Sequence, residues 1–573
     1  PSCESMGLVK MDFLGLRNLG IIDHAIKIIE QNRGVKLDTL TLQLDDEKTY
    51  QLLARGDTLG VFQLDGGPMR QLLKLMEPTR FEDIAAVLAL YRPGPMAANA
   101  HTNYAHRKNG RQDIEPIHPE LKEALEPILG PTFHLLVYQE QIMAVARELA
   151  GYTLGGADLL RRAMGKKKKE ILDAEFANFQ AGMRGNSYSD ESIQALWDVM
   201  LPFSGYAFNK SHTAGYGLVA YWTAYLKANY PAEYMAALLT SVGDDKDKAA
   251  VYLAECRKMG IQVLPPDVND SQLDFVAVGD TQVRFGMGAV RNVGENVVEG
   301  IVKARAQKGR YDDFNDFLGK VPLSVCNKRV IESLIKAGAF DSLEHPRKGV
   351  LMVHEQAVDS VIDIKKNEAH GQDSLFGGMD DTSDDTAFTI AIPDMEWDKK
   401  TKLDFEREML GLYVSDHPLA GTERVLARNR DTTIADLLAS GREDRGDVRV
   451  CGLITKVDKR VNKAGNLWAI ATVEDMDAAV ECLFFPKSYE LYAPELREDA
   501  VVSVGGQINN RDGAISVFAQ DLTPLDVSGI TSDSGQPVTL LLREERVSAR
   551  LVEELRNVLK MHQGQVPLQI NLR

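Results

Sequence analysis

The hydrophobic period of this 573-residue chain changes once, and that change limits what it can fold into more than any composition figure does. Up to about Asn269, apolar residues recur every three to four positions. Residues 18–33 (NLGIIDHAIKIIEQNR), 81–91 (FEDIAAVLALY, running into Pro93) and 213–230 (TAGYGLVAYWTAYLKANY, stopped by Pro231) show it most clearly. Such spacing predicts helices joined by short loops, with proline at their ends. Beyond Thr432 the period falls to two, which predicts half-buried strands.

Those strands are VRVCGLITKVDKRV, LWAIATVED, AAVECLFFP, AVVSVGGQIN and AISVFAQDL, with Gly and Asn turns between them, a pattern that suggests an OB-fold barrel. Between the two textures, PPDVNDS opens a short strand-rich patch. Residues 283–305 (VRFGMGAVRNVGENVVEGIVKAR) then read as a helix–hairpin–helix turning at Val293-Gly294-Glu295. Residues 325–343 form a weaker second copy with Ala337-Gly338-Ala339 as its turn. Residues 366–400 are polar, Gly- and Asp-rich and aperiodic, and read as a flexible linker. After Asp526 a further βα unit starts at Val538.

Such a length exceeds one core, so several domains are expected. A 44% hydrophobic and 26% charged composition is that of a globular protein. No run of about eighteen apolar residues exists, so no membrane span and no membrane partner is expected. Cys3, Cys256, Cys326, Cys451 and Cys482 are scattered without a CxxC pair, which fits a reducing cytosol. The net charge of −17 does not exclude nucleic acid, because the local field decides binding. Arg161, Arg162 and Lys166 to Lys169 place six positive charges within nine residues.

At the front, GLVKMDFLGL (7–16) sets the carboxylate of Asp12 among Val9, Met11, Phe13 and Leu14, residues that suit a buried strand. An ionised Asp there is costly unless a cation or donor compensates it. Lys10, two residues earlier, shares its strand face. That lysine reads either as a charge partner of Asp12 or as a group touching a phosphate.

Five motifs follow one order: GLVKMDFLGLRNL, RPGP (92–95), YQEQIM (138–143), GYTLGGADLLRRAMGKKK (151–168) and GYAFNKSHTAGY (205–216). Together they resemble the C-family replicative DNA polymerases of bacteria, the polymerase III α family, over nearly the whole chain. The resemblance implies a multidomain α+β fold: the end of a palm sheet (1–20), helical fingers (21–269), a helix–hairpin–helix region (270–345) and a clamp-binding linker region (346–430). An OB-fold (431–525) and the start of a small C-terminal α/β domain (526–573) complete it. The front end looks cut, and the far end either cut or followed by only a short final domain, so a C-terminal fragment without the nuclease-like domain and most of the palm is expected.

In that family three palm aspartates hold two Mg2+ ions for nucleotidyl transfer, about 3.5–4 Å apart in two-metal sites. Asp12 matches the third aspartate and is the expected metal ligand. The other two form a D-x-D pair, and no D-x-D on an apolar strand occurs in this sequence; Asp475-Met476-Asp477 has the spacing but falls in a turn. The chain alone is therefore expected to be inactive.

Incoming deoxynucleoside triphosphates are assigned to Arg92, Arg161, Arg162, Tyr206, Asn209, Lys210, Ser211, His212 and Tyr216. Asn209 to His212 sit where a loop enters a helix, whose N-terminal amides favour phosphate. His212 is also a candidate general acid, while an aromatic core is the simpler reading of the helix beyond it. Gln139 and Gln141 are expected to position neighbours. Primed DNA is assigned to Lys166, Lys167, Lys168 and Lys169, to Arg291 and Gly294 at the hairpin, and to Lys456, Arg460 and Trp468 on the OB-fold. Trp468 reads equally as a stacking residue and as barrel core. The linker peptide Gln372-Asp373-Ser374-Leu375-Phe376 matches a sliding-clamp-binding motif. Beyond the clamp (β subunit), the resemblance implies the clamp-loader τ subunit and a proofreading exonuclease as partners. An error-prone paralogue, or a clamp- and DNA-binding module without catalysis, is the alternative reading.

Overall fold

The computed structural model describes residues 6–8, 11, 15–166, 169–203, 207–243, 245–369, 389–411, 413–439, 445–462, 464–476, 478–511, 514–527, 538–542, 555–556 and 568–572. They fall into two compact units, residues 1–415 and 416–573.

The first unit opens with α1 (Arg17–Arg33), α2 (Glu47–Arg55), α3 (Gly67–Met76), α4 (Phe81–Leu90), α5 (Pro93–Ala97) and α6 (Ala100–Lys108). Next come α7 (Lys122–Leu129), α8 (Gln139–Ala150), α9 (Leu154–Lys166), α10 (Lys169–Gly185) and α11 (Asp190–Phe203). Then α12 (Lys210–Asn229), α13 (Pro231–Val242) and α14 (Lys246–Lys258) complete the helical region. Two apolar cores divide it: α7 to α11 bury Leu125, Ile142, Leu160 and Trp197 in one, while α1 to α4, α6 and α12 to α14 share the other.

α12 positions the site. Asn209 caps it, accepting the His212 amide at 2.9 Å. Pro231 ends its course and becomes the first residue of α13. Val219, Ala220, Tyr221, Ala224 and Leu226 are buried, each large aliphatic one worth about 1.5–3 kcal/mol when withdrawn from water. Gly217 lets the helix lie close on α4, since a Cβ there would meet the Phe81 ring at 3.2 Å. Thr213 Oγ1 donates to the Ala85 carbonyl at 2.9 Å across the same contact.

The expected palm strand falls largely on residues outside those described. Residues 6–8, 11 and 15–16 carry no strand, and Met6, Leu8 and Met11 are exposed. Among the described residues no strand pairs with this segment. Lys10 and Asp12 lie outside the described residues. So do Lys167 and Lys168, the side chains of Lys166 and Lys169, Tyr206, and the whole 372–376 peptide.

Beyond α14, β1 (Gln262–Leu264), β2 (Val276–Val278) and β3 (Gln282–Arg284) form a small sheet in the order β1-β3-β2. α15 (Glu295–Lys308), α16 (Phe314–Lys320), α17 (Lys328–Lys336), α18 (Arg347–Ala369) and α19 (Lys399–Leu410) follow. The expected first helix of the hairpin is only a 3-10 turn at Met287–Ala289, held against Leu273 where a Gly288 side chain would clash. The linker also starts later and ends sooner than its composition implied. α18 runs to Ala369, and residues 389–398 are fastened to the unit: the Ile390 amide donates to Asn315 Oδ1, and Glu396 accepts the Arg347 amide.

In the second unit α20 (Glu423–Arg428) and α21 (Ile434–Ala439) precede the barrel strands β4 (Asp447–Val461), β5 (Leu467–Glu474), β6 (Ala479–Phe484), β7 (Val501–Arg511) and β8 (Ala514–Pro524). α22 (Pro486–Tyr492) lies between β6 and β7, and the barrel closes in the order β4-β5-β6-β8-β7. Alternate residues such as Ala469, Ala471, Val473, Cys482 and Phe484 fill it. Further on, β9 (Val538–Leu542) pairs in parallel with β10 (Leu568–Leu572). No helix among the described residues is long and apolar enough to cross a membrane.

Candidate nucleotide and nucleic-acid site

The start of α12 is stitched to the start of α8, some seventy residues away in sequence. The Gln139 amide donates to the Phe208 carbonyl at 2.8 Å, and Gln139 Nε2 donates to the Ala207 carbonyl at 3.1 Å. Gln141 is buried, accepting the Val137 and Tyr138 amides and donating to Ile128 O and Thr132 Oγ1. Both glutamines therefore position backbone.

From this anchor an aromatic column runs along α12. The His212 ring lies 5.6 Å from Phe208 and 4.5 Å from Tyr216, and Tyr216 meets Phe62 at 5.4 Å. Arg92, fixed before α5 by Pro93, lays its guanidinium 4.1 Å over the Phe208 ring and donates to the Ala89 carbonyl. Burial lowers the Arg92 pKa from its usual value. The column and Arg92 line one open cavity of about 750 Å³.

Asn209, Lys210, Ser211 and His212 are exposed at the helix start. Their helix terminus already holds an anion, however: both Glu140 oxygens accept the Lys210 amide, at 3.1 and 3.0 Å, and Oε1 also accepts from Asn209 Nδ2. Lys210 Nζ sits 5.6 Å from the centre of the Tyr138 ring. Arg161 reaches the same neighbourhood by donating to Gln139 Oε1 at 3.2 Å. Asp158 engages Arg161 and Arg162 together, each at 2.8 Å, and those bonds hold its carboxyl below the usual range.

The structure thus brings Arg92, Arg161, Asn209, Lys210, His212 and Tyr216 into one neighbourhood. Phe208 and Glu140 belong there too, and sequence reasoning missed them although both stand inside the GYAFNKSH and YQEQIM motifs. Phe62 had only the apolar LGVFQL run to mark it.

Elsewhere, Gly294 begins α15 with open space where a side chain would stand, so a phosphate backbone can approach closely. Arg291 is exposed beside it, its amide tied to the Met409 carbonyl. On the barrel, Trp468 points away from the core that its neighbour Ala469 fills. Its ring stacks on Phe485 at 6.0 Å and lies under Arg460 at 5.7 Å, with Arg460 paired to Asp458. Lys456 is on the same strand.

Asp475 is structural. Buried at 1% exposure, it accepts the Ile434 and Ala478 amides and pairs with Arg430 at 3.3 Å. Among the described residues no group of three His, Cys, Asp or Glu side chains is placed to hold a metal ion. The described residues therefore offer no three-ligand set for a magnesium ion.

Residues 18–187 match the bacterial DNA polymerase III alpha subunit finger domain, 260–350 a helix-hairpin-helix motif, and 448–525 an OB-fold nucleic acid binding domain. These matches define a chain with a polymerase III finger domain followed by a helix-hairpin-helix region and an OB-fold of a nucleic-acid-binding family. The DNA polymerase III subunit alpha of Saccharopolyspora erythraea is 59% identical over all of this chain, that of Mycobacterium leprae 57%, and that of Escherichia coli K12 36% over 99% of it. The chain belongs to the bacterial DNA polymerase III α-subunit family. It spans about half the length of these relatives, 48–49% of each.

Proposed function

We propose that the protein carrying this chain performs DNA-templated DNA synthesis in chromosomal replication, in the bacterial cytoplasm. The carrying observation is the convergence of Arg92, His212, Tyr216 and Phe208 on one open cavity. Aromatic rings beside the cavity suit a base and sugar, while nearby cations suit the triphosphate. Lys210 and Arg161 are tied to the same α8–α12 junction through Glu140 and Gln139; a bound triphosphate would take over the α12 terminus from Glu140. Primed duplex would run along the basic 166–169 stretch and the Gly294 hairpin, and single-stranded template across Trp468 and Arg460. The 372–376 peptide would attach the sliding clamp, with the τ subunit and a proofreading exonuclease as further partners.

In this reading Mg2+ would be held by Asp12 together with two further aspartates, which this sequence does not supply as a D-x-D strand pair. Magnesium would neutralise the triphosphate and activate the primer hydroxyl. This chain by itself is accordingly proposed to extend no primer. Primer extension tests both statements. The full-length α subunit should extend a primed template, the 573-residue chain should not, and Asp12→Asn in the full-length protein should lower the rate by orders of magnitude without changing DNA affinity. Extension by the chain alone would refute the missing-ligand reading.

A further inference from the structure

Gln63 stands in the wall of the same cavity in a backbone conformation that glutamine rarely adopts, with φ at +62°. A side chain there crowds the backbone, so a position that served only to turn the chain would favour glycine. The loop is nevertheless fixed on both sides. Thr223 Oγ1 accepts the Phe62 amide at 3.1 Å, Tyr234 donates to the Gly60 carbonyl at 2.8 Å, and Thr58 Oγ1 donates to the Leu64 carbonyl at 2.5 Å. Lys227 Nζ, 1% exposed, donates to the Asp57 and Leu59 carbonyls at 2.8 and 2.9 Å. Gly60 presses so closely on Leu238 that an added Cβ would meet it at 2.6 Å. α12 and α13 thus impose the conformation of Gln63 and carry its strain.

Among the described residues, nothing hydrogen-bonds the exposed Gln63 carboxamide. Arg92, His212 and Tyr216 line the cavity with it. A carboxamide is neutral and offers both a donor and an acceptor, which suits a base edge rather than a phosphate. In the minor groove every base pair presents the same kind of acceptor, purine N3 or pyrimidine O2. We propose that Gln63 is a specificity-determining contact: its NH2 group donates to that shared acceptor of the base pair forming in the cavity, from a loop too rigid to follow a misplaced base. The inference rests on the nucleotide reading of the cavity given above.

Single-nucleotide incorporation by the full-length α subunit tests it, with Gln63→Ala, Gln63→Glu and Gln63→Gly compared with the parent. Gln63→Ala should raise KM about tenfold for all four correct nucleotides alike, the scale of one lost base contact, and should narrow discrimination against mismatches. Primer-template Kd should stay within twofold. Gln63→Glu keeps the shape but loses the donor, so it should not rescue. Gln63→Gly should show the same kinetic loss while its melting temperature stays equal to or above the parent's, because the strain is gone. Parent-like KM and discrimination in Gln63→Ala would overturn the inference, as would rescue by glutamate or a kinetic loss that tracks a fall in melting temperature. Failure of the parent itself to incorporate nucleotides would instead overturn the polymerase reading.

Discussion

Glu140 and Lys210 form a link between the starts of two helices: both carboxylate oxygens of Glu140 accept the Lys210 backbone amide, at 3.1 and 3.0 Å. The α12 terminus, which the motif marks as a phosphate seat, is thus satisfied by an internal anion. A carboxylate at a helix N-terminus contributes roughly 0.3–1 kcal/mol, so a triphosphate can displace it at small cost.

Glu140→Gln should keep the shape and remove the charge. In full-length polymerase, KM for nucleotides is expected to fall by about threefold, the kinetic equivalent of losing a competitor worth ~0.3–1 kcal/mol. Steady-state kinetics at fixed primer-template checks this. An unchanged or raised KM would mean that Glu140 stays in place when substrate binds.

Lys227 and Glu255 are paired at 2.6 Å beneath the 57–64 loop, and burial lowers the Lys227 pKa despite that partner. Lys227→Met would leave Glu255 unpaired in the interior, along with the Asp57 and Leu59 carbonyls. Removing one member of a buried pair costs about 3–5 kcal/mol, to be read from the denaturation midpoint of the first unit's transition. Double replacement with Glu255→Leu should recover part of the loss; a single variant as stable as the parent would show the pair to be dispensable.

Trp468 points away from the barrel core, its ring stacked on Phe485 and near the Arg460 guanidinium. Trp468→Ala is expected to weaken single-stranded DNA binding by about 1–3 kcal/mol, the scale for one stacked base. Circular dichroism should show the barrel intact. Equal affinity in a fluorescence titration would remove this face from the template path.

Leu375→Ala with Phe376→Ala should reduce clamp binding by roughly 2–4 kcal/mol, the usual scale for two buried anchors, with DNA affinity unaltered. Calorimetry against the purified clamp decides it, equal affinity arguing against the motif.

Much of this was legible because it is local. α12 announced itself through its apolar period and Pro231, and the barrel strands through strict alternation. Four features were not. Met287–Ala289 is too short for any period to reveal that it is a 3-10 turn. Ile390 and Ile392 were averaged into a polar window, although the first is bonded to Asn315 and both pack against the core. Trp468 stayed ambiguous because the core residue beside it is only an alanine. Glu140 and Phe208 depend on a pairing between α8 and α12 that no short-range pattern encodes.

Measuring nucleotide KM and primer-template Kd side by side, for Arg92→Ala and Tyr216→Ala in the full-length α subunit, tests the assignment of the cavity most directly. Each variant is expected to raise KM by about tenfold or more, the equivalent of ~1.4 kcal/mol of lost binding, while Kd for primed DNA stays within about twofold. A parent-like KM in both variants, or a loss that appears in DNA affinity instead, would contradict the placement of the incoming nucleotide against α12.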